Sequence, residues 1–194
     1  MENKHYDKLD LDIEDKFVDI GTGVTTLSIA RDTSSLTVFN ENAISFIRRN
    51  EKYDKILFKE CIHHIPNINL VFNEIYGNLL DTGSIIIVTR PKNIKMPVFK
   101  KFREEFAKSQ PDIIIYITSL IKTGFVVNVK KKDYTFTLDK EEWFSMLRNK
   151  FMSHSPDFTD EEIKEGLLDI EDKHIEDIFE IKDELIFIKA KKKS

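Results

Sequence analysis

The stretch Phe17–Ala30, FVDIGTGVTTLSIA, decides the expected fold of this chain. Apolar residues surround Asp19, as in a strand covered on both faces, and a glycine turn and a helical segment follow. Glycine can bring backbone amides close to a ligand, and the start of a helix offers N–H groups without intrahelical partners. Thr25 stands where dinucleotide-binding motifs have a third glycine, and the chain has no Gly-x-x-x-x-Gly-Lys-Ser/Thr motif. The stretch therefore predicts a nucleotide-type site at the end of the first strand.

A second block, Lys52–Arg90, continues the alternation of strands and helices. In it, KYDKILF predicts a strand and ECIHHIP a turn, and Asp81–Ser84 is predicted to end the helix that follows. That helix is indicated by the spacing of Leu70, Val71, Ile75, Leu79 and Leu80. The apolar run Ile85–Pro91 then predicts a central parallel strand. This order predicts a parallel sheet with right-handed crossovers.

These motifs in combination resemble the class I S-adenosylmethionine-dependent methyltransferases of the small-molecule type. The resemblance rests on FVDIGTG, on YDKIL followed by HHIP, and on the apolar strand, with KTGF and TDEE further along the chain. It extends from Phe17 to about Lys189. The resemblance implies an α/β fold with a Rossmann-like, doubly wound and mostly parallel sheet whose last strand is antiparallel.

The segment between the glycine motif and YDKIL is shorter than in that family. About 30 residues lie there, where the family normally has two strands with their helices. If Leu36–Phe39 is the first of these strands, Asn40 stands at the ribose position without a carboxylate. If it is the second, Asn42 and Ala43 match the turn beside the adenine, and the ribose strand is absent. We favour the second alternative, because ENAISFIRRNEKYD runs directly into the next strand. The fold is then expected to lack about one strand-helix unit.

The resemblance also implies the cofactor, S-adenosylmethionine, and the residues that bind it. Asp19 would face the amino group of the cofactor, and this role is favoured over that of a structural carboxylate bonded to loop amides. The glycine turn would approach the methionine part, and the segment after Phe58 would close over it. Glu41 could replace the missing ribose carboxylate. The cofactor-binding residues predicted in this way are Asp19, Gly21, Thr22, Gly23, Glu41, Asn42, Ala43 and Lys59.

His63 and His64 are the candidates for a catalytic base. Histidine as a residue type has an unperturbed pKa of about 6.5, which suits general base catalysis, but methyl transfer mainly requires alignment of donor and acceptor. A role in shaping the turn is therefore favoured. No metal site is predicted, because adjacent histidines on a turn rarely point at one ion and no second cluster has matching spacing. Cys61 is not expected to be a nucleophile, since no Cys-His-Asn order is recognisable.

Residues 97–170 are expected to form helices that partly cover the substrate side. One stripe of aromatic and aliphatic residues comprises Trp143, Phe144, Met146, Leu147 and Phe151. These residues could line a substrate pocket, but we favour the interpretation that they form the core-facing side of an amphipathic helix. Arg148 and Lys150 could bind a substrate carboxylate, although we favour the interpretation that they lie on a solvent-exposed face. Asp139 and Thr159 are predicted helix caps, and Gly124–Val129, Asp133–Thr137 and Glu184–Ile188 are predicted strands.

Composition limits the class of protein. The chain has 194 residues, which suits a single domain over 1–194 with residues 1–15 as a solvated lead-in. A net charge of −4 argues against nucleic acid as a partner. One cysteine fits a reducing compartment, and no long apolar span is visible, so a cytoplasmic protein without a membrane partner is expected.

The expected function is transfer of a methyl group from S-adenosylmethionine to an oxygen, nitrogen or sulfur of a small molecule. Two alternatives stay open. Thr25 and the missing ribose carboxylate also fit a catalytically silent binding or regulatory protein. The short segment also fits a shortened isoform of an active enzyme.

Overall fold

The computed structural model describes residues 17–20, 51–150 and 158–193, and for Asp19 the backbone alone. Its strands are β1 (Phe17–Ile20), β2 (Tyr53–Lys59), β3 (Leu79–Thr89), β4 (Phe125–Asp139) and β5 (Ile178–Lys192). Its helices are α1 (Ile68–Asn78), α2 (Lys100–Ser109), α3 (Ile113–Thr123), α4 (Lys140–Arg148) and α5 (Asp160–Lys173), and a 3₁₀ turn spans Ile62–His64.

The described strands form a five-stranded sheet in the order β1-β2-β3-β5-β4. β2 pairs in parallel with both β1 and β3, whereas β5 runs antiparallel to β3. The predicted α/β fold with a mostly parallel sheet and an antiparallel last strand is thus confirmed. The missing strand-helix unit was predicted within residues 21–50, which lie outside the described residues, and it stays a prediction.

β3 is the central strand of this sheet, as its apolar run predicts. Ile85 and Ile87 are fully buried, and Ile86 and Val88, on the opposite face, are 3% and 5% exposed. Because successive side chains point to opposite faces, both faces of β3 are covered.

The start of β3 differs from the prediction. Leu79 and Leu80 belong to the strand instead of the preceding helix, and Asp81–Ser84 lies within β3 instead of forming a separate turn. Tyr53 pairs with Leu79 but Lys55 pairs with Ser84, so the extra residues of β3 form an irregularity opposite Asp54. A Cβ on Gly83 would lie 2.8 Å from the Asp54 carbonyl oxygen, and glycine at this position allows that close approach.

The chain groups into two compact units, each with its own core. The first unit comprises Met1–Thr89, Asp112–Lys130 and Ile186–Ser194. Its core joins the sheet to α1 and α3, with Val18, Phe58, Phe72, Ile87, Leu120 and Ile188 among its buried side chains. Two side-chain bonds tie α3 to α1: Ser119 Oγ donates to Asn69 Oδ1, and Thr123 Oγ1 donates to Asn73 Oδ1 at 3.1 Å.

The second unit comprises Arg90–Pro111 and Lys131–Leu185. Its core is aromatic and aliphatic, with Phe99, Phe102, Trp143, Phe144, Ile163 and Phe179 among its buried side chains. Both predicted caps are confirmed: Asp139 accepts from the amide of Glu141, and Thr159 forms a capping box with Glu162. The single-domain interpretation of residues 1–194 stays a prediction.

Candidate functional site

The carboxyl ends of β1 and β2 lie side by side. Ile20, the last residue of β1, pairs in parallel with Phe58, and β2 ends one residue later at Lys59. In open α/β sheets, ligands bind in the crevice outside the carboxyl ends of the strands. The glycine motif directly follows Ile20 in sequence.

Of the predicted cofactor-binding residues, the structure describes Lys59 and the backbone of Asp19, and the cofactor-binding role of all eight stays a prediction. The backbone of Asp19 pairs with Leu57, one residue before the end of β1, and Lys59 pairs with Val88 at the end of β2. The remaining six lie outside the described residues, and their roles stay predictions: Gly21, Thr22, Gly23, Glu41, Asn42 and Ala43.

The turn after β2 is held against both neighbouring strands. Glu60 adopts a left-handed conformation with φ of 54°, and its amide donates to the Val88 carbonyl at 2.9 Å. The Cys61 thiol donates to the Ile20 carbonyl, also at 2.9 Å. Ile62, 1% exposed, anchors the turn in the core. A positive φ at a non-glycine residue costs energy, and such strain is frequent in functional turns.

The two candidate bases lie on this turn with their rings in contact. The ring centroids of His63 and His64 are 4.0 Å apart and the rings are tilted by 53°. Both ring nitrogens of His63 are buried, whereas His64 is exposed. Within the described ranges, no three His, Cys, Asp or Glu side chains are grouped so that they could hold a metal ion.

Tyr116 is a buried polar residue that sequence reasoning missed. It lies in α3 and is 3% exposed, and its hydroxyl has no hydrogen-bond partner among the described residues. Burial raises the pKa of Tyr116 to about 12, and the neighbouring Cys61 adds to this increase. The surrounding run IIIYITSLI does not indicate a buried hydroxyl without a partner, because a tyrosine in an apolar helical pattern is indistinguishable from other core residues.

In the second unit the aromatic stripe of α4 is core, as favoured from the sequence. Trp143, Phe144 and Leu147 are buried, and the indole N–H of Trp143 donates to the Pro97 carbonyl at 2.8 Å. Met146 packs against the same core. Phe151 lies outside the described residues.

A cavity of about 580 Å³ opens between α4 and α5. Phe144, Ile163 and Leu167 line it together with charged residues such as Arg148 and Lys164. This volume is within the range of small-molecule sites.

Arg148 and Lys150 were the candidates for binding a substrate carboxylate. The guanidinium of Arg148 lies 3.6 Å from the carboxylate of Glu141. Lys150 Nζ donates to the Phe158 carbonyl at 2.9 Å and lies 3.2 Å from Asp160 Oδ1. Both cations therefore have acidic neighbours within the protein.

None of the helices in the described parts of the chain combines the length and apolar character needed to cross a membrane.

The structure resembles solved structures of methyltransferases along nearly its whole length. A protein from Anabaena variabilis ATCC 29413, for which a methyltransferase role in an antibiotic biosynthesis pathway has been suggested, matches with a TM-score of 0.64 at 14% identity, covering 96% of this chain and 95% of that one. Phosphoethanolamine N-methyltransferase 2 from Haemonchus contortus, solved with phosphomonomethylethanolamine and S-adenosylhomocysteine, matches with a TM-score of 0.58 at 15% identity, covering 98% of this chain and 51% of that one.

A third similar structure is named for a different reaction. The cyclase SpnF matches with a TM-score of 0.59 at 12% identity, covering 100% of this chain and 81% of that one. No profile of a protein family matches the sequence, and no curated protein matches it significantly. At these identities the similarity shows a shared fold. The α/β fold implied by the sequence resemblance is therefore confirmed, and it is shared with these methyltransferase structures and with the cyclase SpnF.

Proposed function

We propose that this protein transfers a methyl group from S-adenosylmethionine to an oxygen, nitrogen or sulfur atom of a small molecule. The observation that carries the proposal is the position of Asp19, one residue before the end of β1 and beside β2. The glycine motif follows this strand end in sequence, and sheets of this kind bind ligands outside the carboxyl ends of their strands. A cytoplasmic location is part of the proposal, because a single cysteine fits a reducing compartment.

The cofactor-binding residues predicted from the sequence fit the charges of the cofactor. Asp19 would bind its ammonium group, the amides of Gly21–Gly23 its carboxylate, and Asn42 and Ala43 its adenine. When bound, S-adenosylmethionine would supply an electrophilic sulfonium methyl group, whose in-line transfer to a nucleophile would leave S-adenosylhomocysteine. Among the described residues, the Cys61–Ile20 hydrogen bond joins the two strand ends that would flank the methionine part. The turn after β2 would exclude water there, and His63 and His64 would shape that turn.

Calorimetric titration with S-adenosylmethionine tests the proposal directly. Wild-type protein should bind, and Asp19→Ala should weaken binding about tenfold to a hundredfold, because a charge-assisted hydrogen bond contributes about 1.5–3 kcal/mol. Asp172→Ala is the matched control, since Asp172 is an exposed carboxylate on α5, and it should bind like the wild type. Unchanged affinity in folded Asp19→Ala would reject the site.

The affinity for S-adenosylmethionine also tests the prediction that the shortened segment before YDKIL lacks the ribose-binding carboxylate. Without a ribose carboxylate, binding should be weak, so millimolar cofactor should raise the melting temperature only slightly. A large rise at micromolar cofactor would indicate that another carboxylate binds the ribose, and Glu41→Gln should then abolish the rise. No rise at any concentration would argue against the cofactor.

Turnover distinguishes the enzyme from a silent binding protein. The measurement is formation of S-adenosylhomocysteine with a panel of small alcohols, amines and thiols. Cofactor binding without any turnover over the panel would favour the binding or regulatory alternative, or a different reaction on the same fold.

A further inference from the structure

Helix α3 carries apolar side chains on two opposite sides, and the structure covers only one of them. On the covered side, Tyr116 and Leu120 are 3% and 0% exposed in the core of the first unit. On the other side, Ile114, Ile115 and Ile121 are 60%, 53% and 57% exposed. A helix that is apolar all round is normally buried on every side. The exposed side of α3 is therefore a surface that a further element is expected to cover.

The exposed side forms one stripe along the helix, here called the isoleucine stripe: Ile114, Ile115, Thr118 and Ile121. Ile114, Thr118 and Ile121 are spaced by four and three residues, so they follow one another on the same side of the helix. Thr123, whose hydroxyl bonds to α1, comes nine residues after Ile114 and so lies on the opposite side. The neighbouring helix α1 consequently leaves the stripe open.

The strand that follows α3 adds to this apolar surface. β4 is the last strand in the order β1-β2-β3-β5-β4, so it forms an edge of the described sheet. Phe125 and Val127 pack in the core that α3 covers. Val129 points to the same face of β4, because side chains alternate along a strand, and it is 36% exposed. Apolar surface of this kind is typical of a site of protein association.

The charges at the two ends of α3 favour a second copy of this chain as the partner. Asp112 at the start of the helix and Lys122 in its last turn are both exposed, and neither has an ion-pair partner within the described residues. In an antiparallel pair of these helices, Asp112 of one protomer lies at the same end as Lys122 of its partner. The partial charges of the helix ends attract each other in the same sense. The stripe is therefore complementary to itself, as a two-fold interface requires.

We propose that the protein forms a symmetric dimer in which α3 packs antiparallel against α3 of a second copy. Ile114 of one protomer then lies opposite Ile121 of its partner, and the two copies of Thr118 meet near the two-fold axis. The stripe spans about two turns of one helix, and interfaces below about 1,200 Å² in total are typical of weak association. The protein should thus be a monomer at low micromolar concentration and a dimer toward millimolar concentration. This inference does not depend on the cofactor or on the proposed function.

Sedimentation equilibrium from micromolar to millimolar concentration tests the dimer. The mass of the wild type should rise from 22.8 kDa toward twice that value. Ile121→Glu should weaken association at least about tenfold, because it places a charge against the partner's apolar side chains. Leu70→Glu is the matched control, since Leu70 is 50% exposed on α1 outside the stripe, and it should associate like the wild type. A wild type that stays monomeric throughout, or folded Ile121→Glu that associates as strongly as the wild type, would overturn the inference.

Disulfide cross-linking tests the antiparallel arrangement. Thr118→Cys should form a covalent dimer with glutathione disulfide as oxidant, because a disulfide needs its two Cα atoms within about 7 Å. Glu74→Cys, at an exposed position of α1, is the matched control and should cross-link no more than the wild type. Equal cross-linking of the two variants would overturn the proposed pairing. Flotation of a monomeric wild type with phosphatidylglycerol vesicles, lost in Ile121→Glu, would assign the stripe to a lipid surface and overturn the dimer.

Discussion

Replacing Gly166 by alanine is expected to destabilise the protein, although alanine is normally the better helix former. Gly166 is a buried residue within α5. A Cβ at this position would lie 2.8 Å from Cδ2 of Phe99 and closer still to Cγ and Cδ1. The ring of Phe99 is 4% exposed and packs edge to face against Phe102 and Phe158, with centroid distances of 5.7 and 5.3 Å. It therefore cannot move away without disturbing its neighbours.

Two effects of opposite sign determine how much Gly166→Ala changes the free energy of unfolding. Alanine is favoured over glycine within a helix by about 1 kcal/mol. Overpacking a core typically costs about 1–3 kcal/mol, and contacts as short as these belong at the upper end. The net loss at Gly166 should be about 1–2 kcal/mol. Gly77 in α1 is the matched control, because an added Cβ meets no heavy atom within 4 Å. Gly77→Ala should gain about 0.5–1 kcal/mol.

Urea unfolding followed by far-ultraviolet circular dichroism measures both variants. A second variant tests the contact between Gly166 and Phe99. Phe99→Leu should be less destabilising in the Gly166→Ala background than in the wild type, because the smaller side chain makes room for the methyl group. If Gly166→Ala stabilises the protein as much as Gly77→Ala does, α5 does not pack on Phe99 as described.

The same titrations test the proposal that residues 1–194 form a single domain. Trp143 is the only tryptophan in the chain and is 1% exposed in the core of the second unit, so its fluorescence reports on that unit. In a single cooperative transition, fluorescence and circular dichroism share one midpoint, and Gly77→Ala in the first unit shifts both. Separate midpoints would contradict the single-domain proposal.

Three further predictions concern single side chains. Burial raises the pKa of Tyr116 to about 12 in the folded chain, whereas in the unfolded chain the tyrosine loses its proton near pH 10. The free energy of unfolding should therefore fall by up to about 2 kcal/mol as the pH rises from about 10 to 12. Urea midpoints of Tyr116→Phe should lack that part of the fall, and identical pH profiles would contradict the burial of the hydroxyl. Thr159→Ala should cost about 1 kcal/mol in urea unfolding, because it removes the capping box of α5, whereas Thr118→Ala at an exposed position of α3 should change stability by less than about 0.5 kcal/mol. Equal losses would argue against the cap. His63→Ala and His64→Ala should each lower turnover by less than about tenfold, and a thousandfold loss in a folded variant would make that histidine catalytic.

Local sequence determined most of the elements. The apolar run before Arg90 identified the central strand, because a strand covered on both faces needs apolar side chains at every position. Thr159 and Asp139 identified the starts of two helices, because a cap is a bond between residues only two or three positions apart. The motif around Asp19 also located the end of β1, since a strand followed by glycines is a local signal.

Contacts between distant residues were decided by the tertiary structure alone. The sequence places Leu79 in a helical pattern, but its pairing with Tyr53 and the close approach of Gly83 to β2 make it strand. The bond from Cys61 to Ile20 and the buried hydroxyl of Tyr116 likewise depend on how separate elements pack. Periodicity and caps report interactions within a few residues, whereas these contacts form only when the chain folds back on itself, so no local pattern encodes them.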